Sequence, residues 1–291
     1  MVDVLILNYN DPATTIQLIQ NISKHQAVNH ILVVDNKSTD NSFQILSDRF
    51  KDSYIEVIST DRNGGYGYGN NFGLRYLKEN YGSNHILVCN PDVKIDEETI
   101  ILLDRSLVNN VEYLVVAPFM CDIHGNKDYH TAYRIPTKWN YILSMGVVLG
   151  RFFNRCYYKN NYLNRKGLIE VGTVAGSLFM IAIERTIDPN IYDENMFLYC
   201  EETILGLKAR ENGLKIGLLG NARFIHEHST SISKSFDSEL KRRKLLLKSR
   251  RYILEYYFKA SPAELFLATV LERFSYFEVV IKSAFKRAFK E

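Results

Sequence analysis

Five short segments of this 291-residue chain carry side chains suited to chemistry. The apolar run His85–Cys89 ends in Asn90-Pro91-Asp92. A carboxylate at that point can hold a divalent cation, Mg²⁺ or Mn²⁺, against a diphosphate, because such ions prefer oxygen ligands. The alternative is a turn with a helix cap at Asp92 or Asp96, since Asn, Pro and Asp are common turn residues. The run His30–Asp35 leads into Asn36-Lys37-Ser38-Thr39-Asp40. There Asp35 or Asn36 could meet a nucleobase edge, which needs a donor and an acceptor side by side. N-capping of the next helix by Ser38, Asp40 or Ser42 is the competing use.

A third segment, Asn63–Gly73, is rich in glycine, which lets backbone approach a flat nucleoside or a pyrophosphate closely. It lacks the GKS/GKT of a phosphate loop, and it does not follow the first strand in GxGxxG form. A flexible turn explains it equally well. The fourth runs from Tyr192-Asp193-Glu194 to Glu201-Glu202. An acidic pair opening an amphipathic helix can supply a general base for a hydroxyl group, and the helix N-terminus favours the charged carboxylate. Compensation of the helix dipole would use the same residues. The fifth is His226-Glu227-His228-Ser229, where His226 could bind a metal or a pyrophosphate, or serve only the fold.

The elements that must position these groups alternate. Val4–Asn8, His30–Asp35, Tyr54–Ser59 and His85–Cys89 read as buried strands. Helices are expected over residues 12–24, up to about Phe50, and over Phe72–Glu79. Such alternation implies right-handed crossovers and a mostly parallel sheet, with ligands beyond the carboxyl ends of the strands. Every polar loop above falls at that end. Further strands are expected at Tyr113–Pro118, Ser177–Ile183 and Lys215–His226, with loops and short helices over 119–170 and a helix over Leu198–Asn212. From Asp237 the pattern is helical, broken at Pro262.

Composition sets outer bounds. Hydrophobic residues make up 46% and charged residues 24%, as in an ordinary globular protein. Four separated cysteines without CxxC spacing argue against zinc ribbons and disulfide frameworks and suggest a reducing, cytoplasmic setting. No run of about 18 apolar residues is present to span a bilayer. Residues 236–291 carry 13 Lys and Arg against 7 Asp and Glu, net +6, while the remainder is net −3. The expected organisation is an α/β domain over 1–235, with a regularly alternating half (1–100) and a less regular half (101–235). Basic amphipathic helices over 236–291 follow.

Taken together and in order, these segments resemble the family-2 glycosyltransferases of the GT-A fold, and more narrowly their rhamnosyltransferase-like bacterial branch. The matching residues are Leu7-Asn8-Tyr9-Asn10, Val33–Asp40, Asn63–Gly73, Asn90-Pro91-Asp92, Val174-Ala175-Gly176-Ser177, Tyr192–Glu202 and Phe224-Ile225-His226. The resemblance implies an α/β, Rossmann-like GT-A fold with a mostly parallel mixed sheet and C-terminal helices, the catalytic domain over 1–235 having a nucleotide-sugar-binding half (1–100) and an acceptor-binding half (101–235). It implies inverting transfer from a UDP- or dTDP-sugar onto a glycan hydroxyl of a surface polysaccharide. Asn8, Asn10, Asp35, Asn36, Asn63, Gly65, Tyr66, Asn71 and Asn90 would then bind the nucleotide-sugar, and Asp92 and His226 the metal. The family's usual base is an aspartate where this chain has Glu202, and its next aspartate is Ile204 here. The base therefore lies between Glu202, which is favoured, and Glu201, with Asp193 third. Rival readings are a sugar nucleotidyltransferase, which would need a basic Gly-rich loop after the first strand, and a degenerate glycan-binding scaffold.

Nothing here suggests nucleic acid as a partner. Lys241-Arg242-Arg243-Lys244, Lys248, Arg250 and Arg251 place seven positive charges in eleven residues. Beyond Pro262, apolar residues recur at spacings of three and four, from Leu265 to Phe289. Two partners fit such a segment. It is either an interfacial helix on an anionic membrane, suited to a lipid-linked acceptor at the inner face of the plasma membrane, or a packing face for the catalytic domain or a second subunit.

Overall fold

The computed structural model describes residues 1–153, 156–186, 188–227 and 239–288. Strands β1 (Val2–Asn8), β2 (Val28–Asp35), β3 (Ile55–Ser59) and β4 (His85–Cys89) alternate with helices α1 (Pro12–Ile22), α2 (Ser42–Phe50) and α3 (Tyr66–Tyr81). After β4 come a two-residue strand β5 (Val93–Lys94), helix α4 (Glu97–Asn109) and a fully buried strand β6 (Tyr113–Cys121). The later part adds β7 (Ala132–Tyr133), short helices α5 (Lys138–Leu143), α6 (Val147–Phe153) and α7 (Asn160–Leu163), and strands β8 (Leu168–Val171), β9 (Thr173–Val174) and β10 (Leu178–Ala182). Helix α8 (Glu201–Glu211) precedes the long strand β11 (Lys215–His226), and α9 (Glu239–Tyr256) and α10 (Pro262–Ala288) close the chain.

One sheet carries the order β3-β2-β1-β4-β10-β6-β11-β5, with β8 also pairing β11. The β3, β2, β1 and β4 strands are parallel, whereas β10 lies antiparallel between β4 and β6. The sheet is therefore mixed. Its central strands are apolar at nearly every position because helices cover both faces. One apolar layer includes Val4, Ile6, Val33, Leu87 and Met180, and the other includes Leu5, Val34, Val88, Phe179 and Leu205. Each such side chain contributes about 1.5–3 kcal/mol when removed from water.

Strand order reverses at β1, flanked by β2 on one side and β4 on the other. Beyond the carboxyl ends of strands at such a reversal, two loops diverge and leave a crevice. In register there stand Asn8 and its neighbour Asp35, then Ser59 beside Asp35.

Several local expectations need correction. Helix α3 begins at Tyr66, so most of the glycine-rich stretch is helix rather than loop. Gly67, Gly69 and Gly73 serve close approach: a Cβ at Gly67 would sit 2.9 Å from Cβ of Tyr192, and at the other two it would strike Leu7 and Leu5. Helix α8 starts at Glu201, not Leu198, because Tyr199 and Cys200 both adopt left-handed backbone (φ 73° and 69°). Helix α4 was anticipated only in the alternative reading that made Asp96 a cap. Its cap is Asp96, whose carboxylate accepts the Thr99 N–H at 2.7 Å. At the N-terminus of α2 the Asn41 side chain makes no cap bond, but Asp40 accepts the Ser42 N–H at 2.9 Å as expected, while Ser38 donates to Asp35.

The chain forms two compact units. The first comprises Met1–Arg134, Tyr158–Phe197 and the chain from Glu201 to the end of β11; the second comprises Ile135–Tyr157, Leu198–Cys200 and the C-terminal helices. The boundary expected at residue 235, together with His228 and Ser229, lies outside the described residues. Among the described residues no helix is long and apolar enough to cross a membrane.

Candidate active site

Everything in this site belongs to the first unit. At the β1–β2 edge, Asp35 is buried and accepts three hydrogen bonds: from Asn8 Nδ2 (2.8 Å), Ser38 N (2.9 Å) and Ser38 Oγ (2.6 Å). Asn8 in turn accepts from Thr15 Oγ1 at 2.8 Å. Asn10, in left-handed backbone, ties its amide to Thr39 through two bonds of 2.8 and 3.0 Å. Asn36 uses both ends of its amide, donating to Asn63 Oδ1 (3.1 Å) and Gly65 O (3.0 Å) and accepting from Thr60 Oγ1 (3.3 Å). Asp35 and Asn36 were expected to meet a base edge, and both side chains are largely committed to fastening the loops after β1, β2 and β3 together.

Gly65 opens α3 at φ 93°, where any Cβ would collide with the Phe197 carbonyl, and that carbonyl accepts the Tyr66 N–H at 3.1 Å. Asn71 is fully buried and holds the segment before α8, through Tyr192 N, Tyr192 O and Glu194 Oε1, each at 3.1 Å. Lys208, on α8, donates to the carbonyls of Asn190 (2.7 Å) and Tyr192 (3.3 Å), and burial lowers its pKa.

The segment Thr173–Ser177 is the hinge pin of the site. Thr173 Oγ1 donates to the Glu202 carbonyl at 2.6 Å, and Gly176 N–H points at Glu202 Oε1 at 3.3 Å. Tyr66 Oη donates to the Gly176 carbonyl at 2.6 Å, and Asn90 N–H donates to the Ser177 carbonyl at 2.8 Å. Tyr133, whose strand β7 pairs with β9, places its hydroxyl 3.5 Å from Glu202 Oε2. Burial raises the Glu202 carboxyl pKa above its ordinary value. Burial, then the neighbouring Glu202 charge, raises that of Tyr66, which stays protonated and donates. Glu201, the other candidate base, is 5% exposed, whereas Glu202 is half-buried. Asp193, the third candidate, accepts from the backbone and side chain of Asn195 as a turn.

Asp92 and His226 meet because β5 pairs antiparallel with the end of β11, setting His226 opposite Val93. Asp92 Oδ1 lies 3.3 Å from His226 Nε2, and the Glu227 N–H donates to the Asp92 carbonyl at 2.9 Å. Lys94 pairs with Glu227 beside them. Cis ligands of an octahedral Mg²⁺ lie about 3 Å apart, so this oxygen and nitrogen fit two such positions. Among the described residues no third His, Cys, Asp or Glu joins them. A hard divalent cation commonly takes one or two protein ligands and completes its shell with substrate phosphates and water. The donor set fits a cation held jointly with a diphosphate.

Tyr133 and Thr173 escaped the sequence reading. Both sit in two-residue strands too short for any periodic signal, and only the tertiary fold brings them to Glu202.

The profile of glycosyl transferase family 2 matches residues 3–186. The chain belongs to that family. It is 26% identical over 214 residues to the low-salt glycan biosynthesis hexosyltransferase Agl10 of Haloferax volcanii, covering 74% of this chain and 63% of that protein. The chain thus spans somewhat under two thirds of that relative. It is 23% identical over 272 residues to the rhamnosyltransferase WbbL of Escherichia coli K12 (87% and 97% of the two chains). It is 25% identical over 222 residues to the N-acetylglucosaminyl-diphospho-decaprenol L-rhamnosyltransferase of Mycobacterium tuberculosis (72% and 70%). Among solved structures, S. aureus TarS 1-349 in complex with UDP-GlcNAc superposes with a TM-score of 0.55 at 15% identity, covering 94% of this chain and 71% of that one. At that identity the likeness is one of fold, and the fold is GT-A.

Proposed function

We propose that this glycosyltransferase moves a sugar, rhamnose in the first instance, from a UDP- or dTDP-sugar to a hydroxyl of a growing, lipid-linked surface polysaccharide at the inner face of the plasma membrane. The rhamnosyltransferase relatives support the sugar, and the diphospho-decaprenol substrate named for one of them supports the acceptor type. The single observation that carries the chemistry is the Thr173–Ser177 segment, which fastens Glu202 on one side and the Asn90-Pro91-Asp92 turn on the other.

In this reading the Glu202 carboxylate takes the proton of the acceptor hydroxyl. The acceptor oxygen then attacks the anomeric carbon from the face opposite the diphosphate. The anomeric C–O bond breaks with its electron pair leaving on the diphosphate, and configuration inverts. Asp92 and His226 would hold a divalent cation that neutralises charge on the departing diphosphate. Asn8, Asn10, Asp35, Asn36, Asn63, Gly65, Tyr66 and Asn71 keep the nucleotide end of the crevice preformed, which spares ordering entropy on binding.

The test is a panel of dTDP-, UDP- and GDP-sugars assayed by thermal shift with and without Mn²⁺, followed by transfer to a diphospholipid-linked acceptor. One dTDP- or UDP-sugar should stabilise the protein in a Mn²⁺-dependent way and be consumed. Consumption of nucleoside triphosphate and sugar phosphate, with no sugar transfer, would replace this reading by nucleotidyl transfer.

A further inference from the structure

The second unit shows an apolar stripe that its own packing leaves uncovered. Helix α10 turns Ala268, Ser275 and Val279 inward. Two arginines of α9 clasp it: Arg243 Nε donates to Ser275 Oγ and Arg251 Nη1 to Thr269 Oγ1, both at 2.7 Å. The opposite face carries Phe266, Val270, Phe274 and Phe277, at spacings of four, four and three, exposed by 71, 46, 60 and 61%. Lone exposed apolar residues are ordinary, but a continuous stripe of large ones marks an interaction surface.

Charge indicates what covers it. Four acidic groups of the two helices are engaged within the unit: Glu255 with Arg251, Glu264 with Lys138, Glu272 with Tyr276 and Glu278 with the N–H groups of Val147 and Val148. Exposed Lys244, Lys248 and Lys259 are basic, and exposed Arg273 lies inside the stripe, just before Phe274. The sequence adds Lys282, Lys286 and Arg287 further along the same helix. Two copies meeting through this face would bring like charges together. An anionic lipid surface would neutralise them while taking up the phenylalanine rings.

We propose that the Phe266–Phe277 face of α10 docks on an anionic lipid surface, the helix lying in the interface with its rings at the acyl boundary and Arg273 among the headgroups. This depends on neither the donor sugar nor the catalytic assignments.

The experiment is co-sedimentation of the full chain with phosphatidylcholine vesicles, with and without phosphatidylglycerol, at low and high salt. Binding should need phosphatidylglycerol and weaken with salt. Arg273→Gln should lower it about fivefold. Phe274→Ser with Phe277→Ser should lower it at least about tenfold, given how much each ring gains on leaving water. Both positions are exposed, so circular dichroism and Tm should not change, and transfer to a short water-soluble acceptor should be retained. Absence of sedimentation with phosphatidylglycerol vesicles overturns the proposal. So does a wild-type dimer, seen by analytical ultracentrifugation, that the double serine variant converts to monomer, which would assign the face to a second copy. Either failure leaves soluble-acceptor transfer, and hence the proposed reaction, to be judged separately.

Discussion

The Gly176 N–H stands 3.3 Å from Oε1 of Glu202, and a Cβ added at Gly176 would stand 3.1 Å from that same oxygen and 3.3 Å from the Tyr66 hydroxyl. The glycine both orients the carboxylate and leaves room for it. Gly176→Ala should therefore push the carboxylate by a few tenths of an ångström without unfolding the chain. A misplacement of about 1 Å can cost about 10²-fold in rate, so about tenfold in kcat is expected here, with donor KM little changed. Steady-state kinetics and a melting curve check it; a loss of Tm with unchanged kcat would remove Gly176 from the positioning of Glu202.

Glu202→Gln should abolish transfer, by about 10²–10⁴-fold, while donor binding by calorimetry persists. Stability should move the other way. Burial raises the folded-state pKa of this carboxyl above the ordinary 4.5, so its contribution is most favourable below that value and is lost as pH rises through the folded value. Glutamine removes the cost of ionisation and can still accept the Gly176 and Tyr133 donors. Tm should rise slightly at neutral pH and not at pH 4. If Glu201→Gln is the inactive variant and Glu202→Gln keeps its rate, the base is Glu201.

The same shift sets the acid limb of the pH–rate profile. Wild-type kcat/KM should fall as pH drops through a pKa higher than that of an ordinary glutamate, because the protonated carboxyl cannot take the acceptor's proton. A profile flat down to pH 4.5 would contradict a Glu202 base.

Asp92→Asn should preserve the fold and remove Mn²⁺-dependent tightening of nucleotide binding. His226→Ala should weaken that tightening by a smaller factor, since water can take one position on a hard cation. Titration calorimetry of the nucleoside diphosphate with and without Mn²⁺ measures both. An Asp92→Asn protein with an unchanged metal response would end the assignment.

Asn71 holds three hydrogen bonds to the segment before α8, two of them buried. Asn71→Ala leaves Tyr192 N–H and C=O without them and should cost about 2–4 kcal/mol, read by urea denaturation. A cost under about 0.5 kcal/mol would mean that segment is held elsewhere.

The parallel half of the fold was legible because its inner strands carry apolar runs ending in polar loops, as a sheet covered on both faces requires. The antiparallel insertion of β10 was not, since a buried strand's composition carries no direction. The helix at Tyr66–Tyr81 was misplaced because glycine disfavours helices in isolation. There Leu5, Leu7 and Tyr192 press against the helix and leave no space for a Cβ. Asp92, Glu202 and His226 could be named as candidates from the sequence because they fall in segments that resemble the family's motifs. Tyr133 and Thr173 could not, because they reach Glu202 across 69 and 29 positions of chain from two-residue strands.

Gly176 and Ser177 are consecutive, one grasping the carboxylate-bearing helix and the other the Asn90 turn. Across a trans peptide their Cα atoms are about 3.8 Å apart, and that length is covalent. The Glu202 helix and the Asn90 turn therefore share one short tether. A substitution that shifts this segment displaces both, so in the proposed reaction the acceptor side and the diphosphate side would move together.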